Sequence, residues 1–387
     1  MKRKKTREIN CIQQQKQSLK NDMTQTVIFT LPMRTKKHAV LCHVKLKQST
    51  GFLVAASKRI RSGDVDLNIT FELFHTMVLV LNGVLQDECI PLDTHSLFMQ
   101  HPIYRDTANQ LLSIPSKTIG PVGLLYIGQR EMAAVAPHDK NVHIIGSDDA
   151  TSCIIVVVRH SGSGAIALAH LDGNGTDEAV STMVSRVQEL ALGYPEGRIE
   201  LQLIGGFRDQ QGYAEDLYSN IMQSFHKHPM EIDLTQACIG EVNTILRGEV
   251  NWPIIYGVGV NTRTGEIFPA TFPDKGPDLY LRCARHFTGG HQVLDIYDSQ
   301  LGMLRIGPFN YEPLRGVDLW LSQTDEFILQ HLSTTPEVEP PHFVMQVRST
   351  LKYIQENQFP AITVFRENRP LYYRRDENSG LWVHVRY

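Results

Sequence analysis

The strongest structural commitment in this chain is the run at residues 153–158, Cys-Ile-Ile-Val-Val-Val, which follows the polar segment 146–152 and stops just short of Ser161-Gly-Ser-Gly164. Five consecutive β-branched side chains are stiff at χ1 and pack best on a pleated surface. Bounded by turn residues on both sides, the run predicts a buried strand entering a tight hairpin, with residues 165–171 as the return strand. Whether the turn loops out two residues or four, paired residue numbers add to 325. Cys153 then stands opposite Asp172 and diagonal to His170, and all three point to one side of the sheet. Diagonal neighbours have α-carbons about 7–8 Å apart, a gap that a thiol and an imidazole can bridge.

That juxtaposition matters chemically. The thiolate is the species that attacks a carbonyl carbon, and an adjacent imidazolium stabilises it and later protonates the leaving group. The backbone N–H groups of residues 147–152, just ahead of Cys153, are candidate donors to a developing oxyanion. The same residues admit plainer roles. A cysteine at the head of a core strand is commonly structural, and Asp172-Gly173 reads as a turn. Spacing alone does not decide between them. His138, His143, His160 and His170 lack an i, i+4 ligand pattern or a partner Cys pair, so neither a zinc site nor any other cofactor is expected.

Elsewhere the pattern predicts a helix N-capped at Thr176, strands at 198–204, 254–260 and 265–271, and helices near 214–225, 277–287 and 342–356. Short strands are predicted at 124–127, 293–297, 304–306, 362–365, 371–373 and 381–385. Most strands adjoin hairpin signals and do not alternate strictly with helices. The class is therefore α+β, a mixed and largely antiparallel sheet flanked by helices. Gly257-Val-Gly259 lacks the third glycine of a dinucleotide fingerprint and reads as close strand packing.

Charge divides the chain. Residues 1–76 hold 15 Lys/Arg against five Asp/Glu, a net of +10, so with −3 overall residues 77–387 carry −13. Residues 1–76 read as a basic N-terminal extension, disordered or foreign to the domain formed by 77–387. The acidic body argues against nucleic acid as a partner. No apolar stretch is long enough for a membrane span, and six scattered cysteines suit a reducing compartment, so a cytoplasmic and possibly also nuclear setting is expected.

Several long strings carry a resemblance. They are Gly120-Pro-Val-Gly-Leu-Leu-Tyr-Ile-Gly-Gln-Arg-Glu131, Ile145-Gly-Ser-Asp-Asp-Ala-Thr-Ser-Cys153, Arg159-His-Ser-Gly-Ser-Gly164, Leu203-Ile-Gly-Gly-Phe207, Pro253-Ile-Ile-Tyr-Gly257, Leu304-Arg-Ile-Gly-Pro308 and Glu339-Pro-Pro-His-Phe343. Together they resemble the protein N-terminal asparagine amidohydrolase family, and residues 1–76 have no counterpart in it. The resemblance implies a monomeric hydrolase of protein or peptide substrates with a free N-terminal Asn. It would release ammonia and leave an N-terminal Asp for the arginylation branch of the N-degron pathway, on a Cys-His amidase-like sandwich. It also implies Cys153 as the nucleophile, the Cys of the Gly-Ser-Asp-Asp-Ala-Thr-x-Cys string. His170 as the base follows from the hairpin register. For the substrate's α-ammonium a carboxylate is expected, Glu339 first and Asp148 or Asp149 next, with Ser147 and Tyr126 completing the binding candidates. Glu339 also reads as a cap for the helix starting near Pro341, and the two aspartates as turn formers. Two other functions share the machinery: a deamidase of Gln or internal side chains, and a catalytically silent binder of N-termini.

Overall fold

The computed structural model divides the chain into two compact units, Met1–Met77 and Val78–Tyr387. It describes residues 79–86 and 89–386, together with the backbone of six short strands from Thr26–Ile28 to Val65–Leu67. The expectation of a disordered or foreign extension over 1–76 lies outside the described residues.

The hairpin forms as the register requires. Strands Ile154–His160 and Ile166–Leu171 pair antiparallel with Ile154 opposite Leu171 and Ile155 opposite His170, and residues 161–165 lie between them. They are the centre of an eight-stranded sheet. On one side follow Glu131–Val135 and Leu294–Asp295; on the other come Ile199–Gly205, Ile232–Ile239, Leu79–Leu81 and Val84–Gln86. Parallel pairs occur at Ile199–Gly205 with Ile232–Ile239 and at Ile232–Ile239 with Leu79–Leu81. The class is α+β with mostly antiparallel pairing, as the hairpin signals predicted.

Alternation along these strands builds two cores. Ile154, Val156 and Val158 face helices Thr176–Leu190 and Tyr213–Lys227 through Val180, Met183, Leu217 and Ile221. Ile155, Val157 and Leu168 face the opposite way, onto Ile145, Val258 and Val260. Those three belong to a second, five-stranded sheet in the order Leu124–Tyr126, Ile144–Ser147, Val258–Asn261, Ile267–Thr271, Lys117–Thr118. Cys153 and His170 share the parity of Ile155 and Leu168, so they point between the sheets. Beyond the sheets, helices Leu279–Phe287, Val317–Leu321, Asp325–Leu332 and Phe343–Glu356 contribute to a separate apolar cluster.

Two expectations fail locally, and four elements lacked one. Residues 360–363 form a helical turn where a strand at 362–365 was predicted; Pro360 at its first position supplies helical φ, and this outweighs the β-branched pair Ile362-Thr363. Gly175, in the left-handed region at φ 63°, caps helix Thr176–Leu190, so Thr176 is its first helical residue and not the cap. Helices Thr94–Gln100 and Ile103–Leu112 and strands Glu131–Val135 and Ile232–Ile239 had no reading from sequence. In Glu131-Met-Ala-Ala-Val135 the alanines carry no strand preference, and only burial on both faces makes this a strand.

Candidate active site

Cys153 sits one residue ahead of its strand, at the mouth of the gap between the sheets. Its carbonyl accepts from the Gly206 N–H at 2.8 Å, and the Ser152 hydroxyl bonds that of Thr334 at 3.0 Å, so the backbone is clamped on both sides. A cavity of about 640 Å³ opens here, and Cys153, His170, Asp172, Glu339, Asp148, Asp149 and Tyr126 all line it. Of the sequence candidates, only Ser147 lies behind the cavity wall, where it touches the site through His170.

That contact defines the imidazole. Ser147 Oγ lies 2.8 Å from His170 Nδ1, while Nε2 is buried with no partner. With Nδ1 engaged, Nε2 is the nitrogen left to exchange a proton, and the His170 side chain lines the same cavity as Cys153. Burial pulls the His170 pKa down to about 4. Burial, reinforced by the charges of Asp172 and Glu339, pushes the Cys153 thiol well above its ordinary range, and Arg130 only partly opposes this. Burial thus disfavours the charged form of each group, against the thiolate–imidazolium pair expected from sequence. Asp172 does not contact His170: its carboxylate accepts from Arg130 Nε at 2.7 Å and Gln129 Nε2 at 2.6 Å.

The carboxylates are not equivalent. Asp148, 4% exposed, accepts from Tyr126 OH at 2.9 Å, from the Phe272 N–H at 2.7 Å and from Lys275 Nζ. Asp149, held at φ 60°, meets Lys275 Nζ and His342 Nε2, each at 2.9 Å. Burial disfavours its charge, but His342 and Lys275 more than compensate and hold its carboxyl below the usual range. Close strand packing holds this loop: a Cβ on Gly257 would fall 2.5 Å from the Asp148 Cβ and 2.4 Å from the Ala270 carbonyl oxygen.

Glu339 has hydroxyl partners and no cation. Its Oε1 accepts from Ser333 Oγ at 2.5 Å and Thr335 Oγ1 at 3.5 Å, and no salt bridge reaches it among the described residues. Burial drives its pKa up to about 7, with Asp149 adding to the rise. It does not cap a helix, because Phe343–Glu356 begins four residues later behind His342. The pocket thus places a carboxylate with no salt bridge among the described residues and the Cys–His couple in one space.

Two parts of the site carried no sequence signal. Lys275 lies in a loop and was not singled out, yet it neutralises both aspartates. Arg282 donates to Glu131 Oε1 at 2.9 Å, to the Lys275 carbonyl at 2.8 Å and to the Tyr126 carbonyl at 2.9 Å, tying the loop to both sheets. The oxyanion expectation narrows. In the 147–152 segment the Ala150 N–H is spent on the Tyr256 carbonyl and the Thr151 N–H on the Asp149 carbonyl. Among the described residues the amides of Ser152 and Cys153 have no such partner.

Comparison with known proteins gives a consistent match. The family model described as protein N-terminal asparagine amidohydrolase covers residues 114–384. A pig protein so named is 42% identical over 296 residues, spanning 76% of this chain and 94% of its own length. The human protein of that name is 40% identical over 296 residues, 76% of this chain and 95% of its own. An Arabidopsis thaliana namesake is 30% identical over 256 residues, 59% of this chain and 72% of its own.

Proposed function

The chain belongs to the protein N-terminal asparagine amidohydrolase family, and from that premise we propose that it hydrolyses the side-chain amide of an N-terminal asparagine with Cys153 as nucleophile and His170 as base. The observation that carries the residue assignment is that Cys153 and His170 line one cavity, with His170 Nε2 buried and without a hydrogen-bond partner among the described residues.

The reaction runs as follows. His170 Nε2 takes the Sγ proton as Cys153 attacks the amide carbon; a C–S bond forms and the carbonyl electron pair moves onto oxygen. The amides of Ser152 and Cys153 receive that oxyanion. The proton on His170 passes to the amide nitrogen, the C–N bond breaks and ammonia leaves. Water, deprotonated by His170, then attacks the thioester, the C–S bond breaks, the thiol regains its proton and aspartate departs. Burial disfavours the charged form of each catalytic group, so proton transfer accompanies attack in each half.

Glu339 is the anchor for the substrate's α-ammonium. Asp148 and Asp149 already face Lys275, whereas Glu339 has no salt bridge among the described residues, and an arriving ammonium supplies one. The side chain of asparagine then lies a set number of bonds from Cys153. Glutamine, longer by one methylene, loses mainly in kcat, and acetylated or internal Asn leaves Glu339 unpaired.

Residues 77–387 act as the catalytic domain, as a monomer in the cytosol, with the nucleus as a second setting, feeding N-terminal Asp to arginylation. No helix among the described residues is long and apolar enough to cross a membrane, and the four described cysteines are unpaired thiols. The test is mass spectrometry of an Asn-initiated peptide. A gain of about one mass unit confined to residue 1 is expected with the native enzyme and absent with Cys153→Ser. Retained turnover in Cys153→Ser would overturn the assignment.

A further inference from the structure

We infer that the substrate's polypeptide beyond its first residue leaves the active-site cavity through a second groove, bounded by residues 207–211 and 330–337, which reads the main chain of an extended N-terminal segment. The inference rests on Glu339 as the amine anchor.

The groove, about 650 Å³, adjoins the catalytic cavity, and Tyr213, His331, Leu332, Ser333 and Thr334 line both. The stretch 332–334 forms part of the wall of both cavities. Thr334 bonds Ser152, next to the nucleophile, and Ser333 Oγ bonds Glu339, the anchor. An asparagine whose ammonium meets Glu339 and whose side chain reaches Cys153 carries its third α-carbon substituent, the carbonyl, over this same stretch. The space on its far side is the second groove.

The lining says what kind of chain fits. The Asp209 carboxylate is spent on the N–H groups of Gln211, Tyr213 and Ala214 at 2.9–3.1 Å, so it offers the groove little charge. Arg208 and Glu337 add one charge of each sign, Asn251 donates its Nδ2 to the Arg208 carbonyl, and Gln210, Gln211 and Gln330 present carboxamides, each able to donate and accept. Such groups match the alternating N–H and C=O of an extended backbone and are indifferent to side-chain identity. Tyr213, 48% exposed at the junction, offers an aromatic face to the second residue. The partner is thus the unstructured N-terminus of a protein chain, held largely independently of its sequence.

The groove is tested by binding to Cys153→Ser, read by fluorescence anisotropy with Asn-initiated peptides of two to eight residues. Gln211→Trp supplies the block, since the Gln211 side chain makes no hydrogen bond and a bulky ring there fills the groove. The octapeptide is expected to bind at least about tenfold more tightly than the dipeptide, and Gln211→Trp to erase that advantage while leaving dipeptide binding unchanged. Equal affinities for dipeptide and octapeptide would overturn the proposal. So would an octapeptide advantage that survives Gln211→Trp, or an equal loss for both peptides. Turnover of the Asn dipeptide by the native enzyme is a separate readout: its absence alongside length-dependent binding would refute the activity and leave the groove standing.

Discussion

Ser147 Oγ lies 2.8 Å from Nδ1 of His170, on a strand of the opposite sheet. The hydroxyl that meets this imidazole therefore reaches it across the sandwich, and the two sheets must stay in register for the contact to persist. Ser147→Ala should lower kcat by about 10- to 100-fold, part of the 10²–10⁴-fold that a general base supplies, with KM little changed. Ser147→Thr, which keeps the hydroxyl, should recover most of the loss. Steady-state kinetics with an Asn peptide decides this, and equal activity of Ala and Thr variants would remove Ser147 from the mechanism.

Glu339 titrates at about 7, because burial disfavours its charge. As the amine anchor it must be ionised, so kcat/KM should rise with pH through about 7. It should fall again as the substrate amine, with an ordinary pKa of about 7.7–8.0, loses its proton. Glu339→Gln should abolish the acidic limb and raise KM more steeply than Asp148→Asn or Asp149→Asn. An acidic limb that persists in Glu339→Gln would move the anchor elsewhere.

His170 has its pKa depressed to about 4 in the folded protein against an ordinary 6.5. The unfolded chain binds the extra proton first, so stability is intact above pH 6.5 and is lost as the pH falls toward 4. Linkage puts the loss at roughly 3 kcal/mol. Urea unfolding at several pH values should show this slope in the native protein and a flatter one in His170→Gln. Parallel slopes would mean that the histidine is not buried neutral.

Lys275 is 8% exposed and the common cation of Asp148 and Asp149. Removing one partner of a buried ion pair leaves uncompensated charge, at a cost of about 3–5 kcal/mol. Lys275→Met should accordingly destabilise the fold by that order, and Asp148→Asn in the same background should return part of it. Urea midpoints of the single and double variants measure the coupling, and additive effects would show that the pair does not interact.

Much of the site was legible in the chain. The run 153–158 and the Ser-Gly-Ser-Gly turn dictate a strand and a hairpin locally, and a period of two then assigns faces. The observed pairing of Ile155 with His170 follows from counting across the turn. Packing between sheets has no such period. Ser147 reaches His170 only because Ile144–Ser147 stacks over Ile166–Leu171, although 23 positions separate the two residues.

What the sequence by itself determined is therefore the family, the central hairpin and its register, and the common direction of Cys153 and His170. All of these rest on local preference or on ordered strings. Only the tertiary structure decided that Asp172 belongs to Arg130, that Lys275 neutralises Asp148 and Asp149, and that Glu339 is left buried without a salt bridge among the described residues. It also decided the directions in which Cys153 and His170 titrate, since the depressed histidine and raised thiol come from burial between sheets. Desolvation and charge pairing depend on which distant segments meet, and no short-range pattern along the chain encodes that.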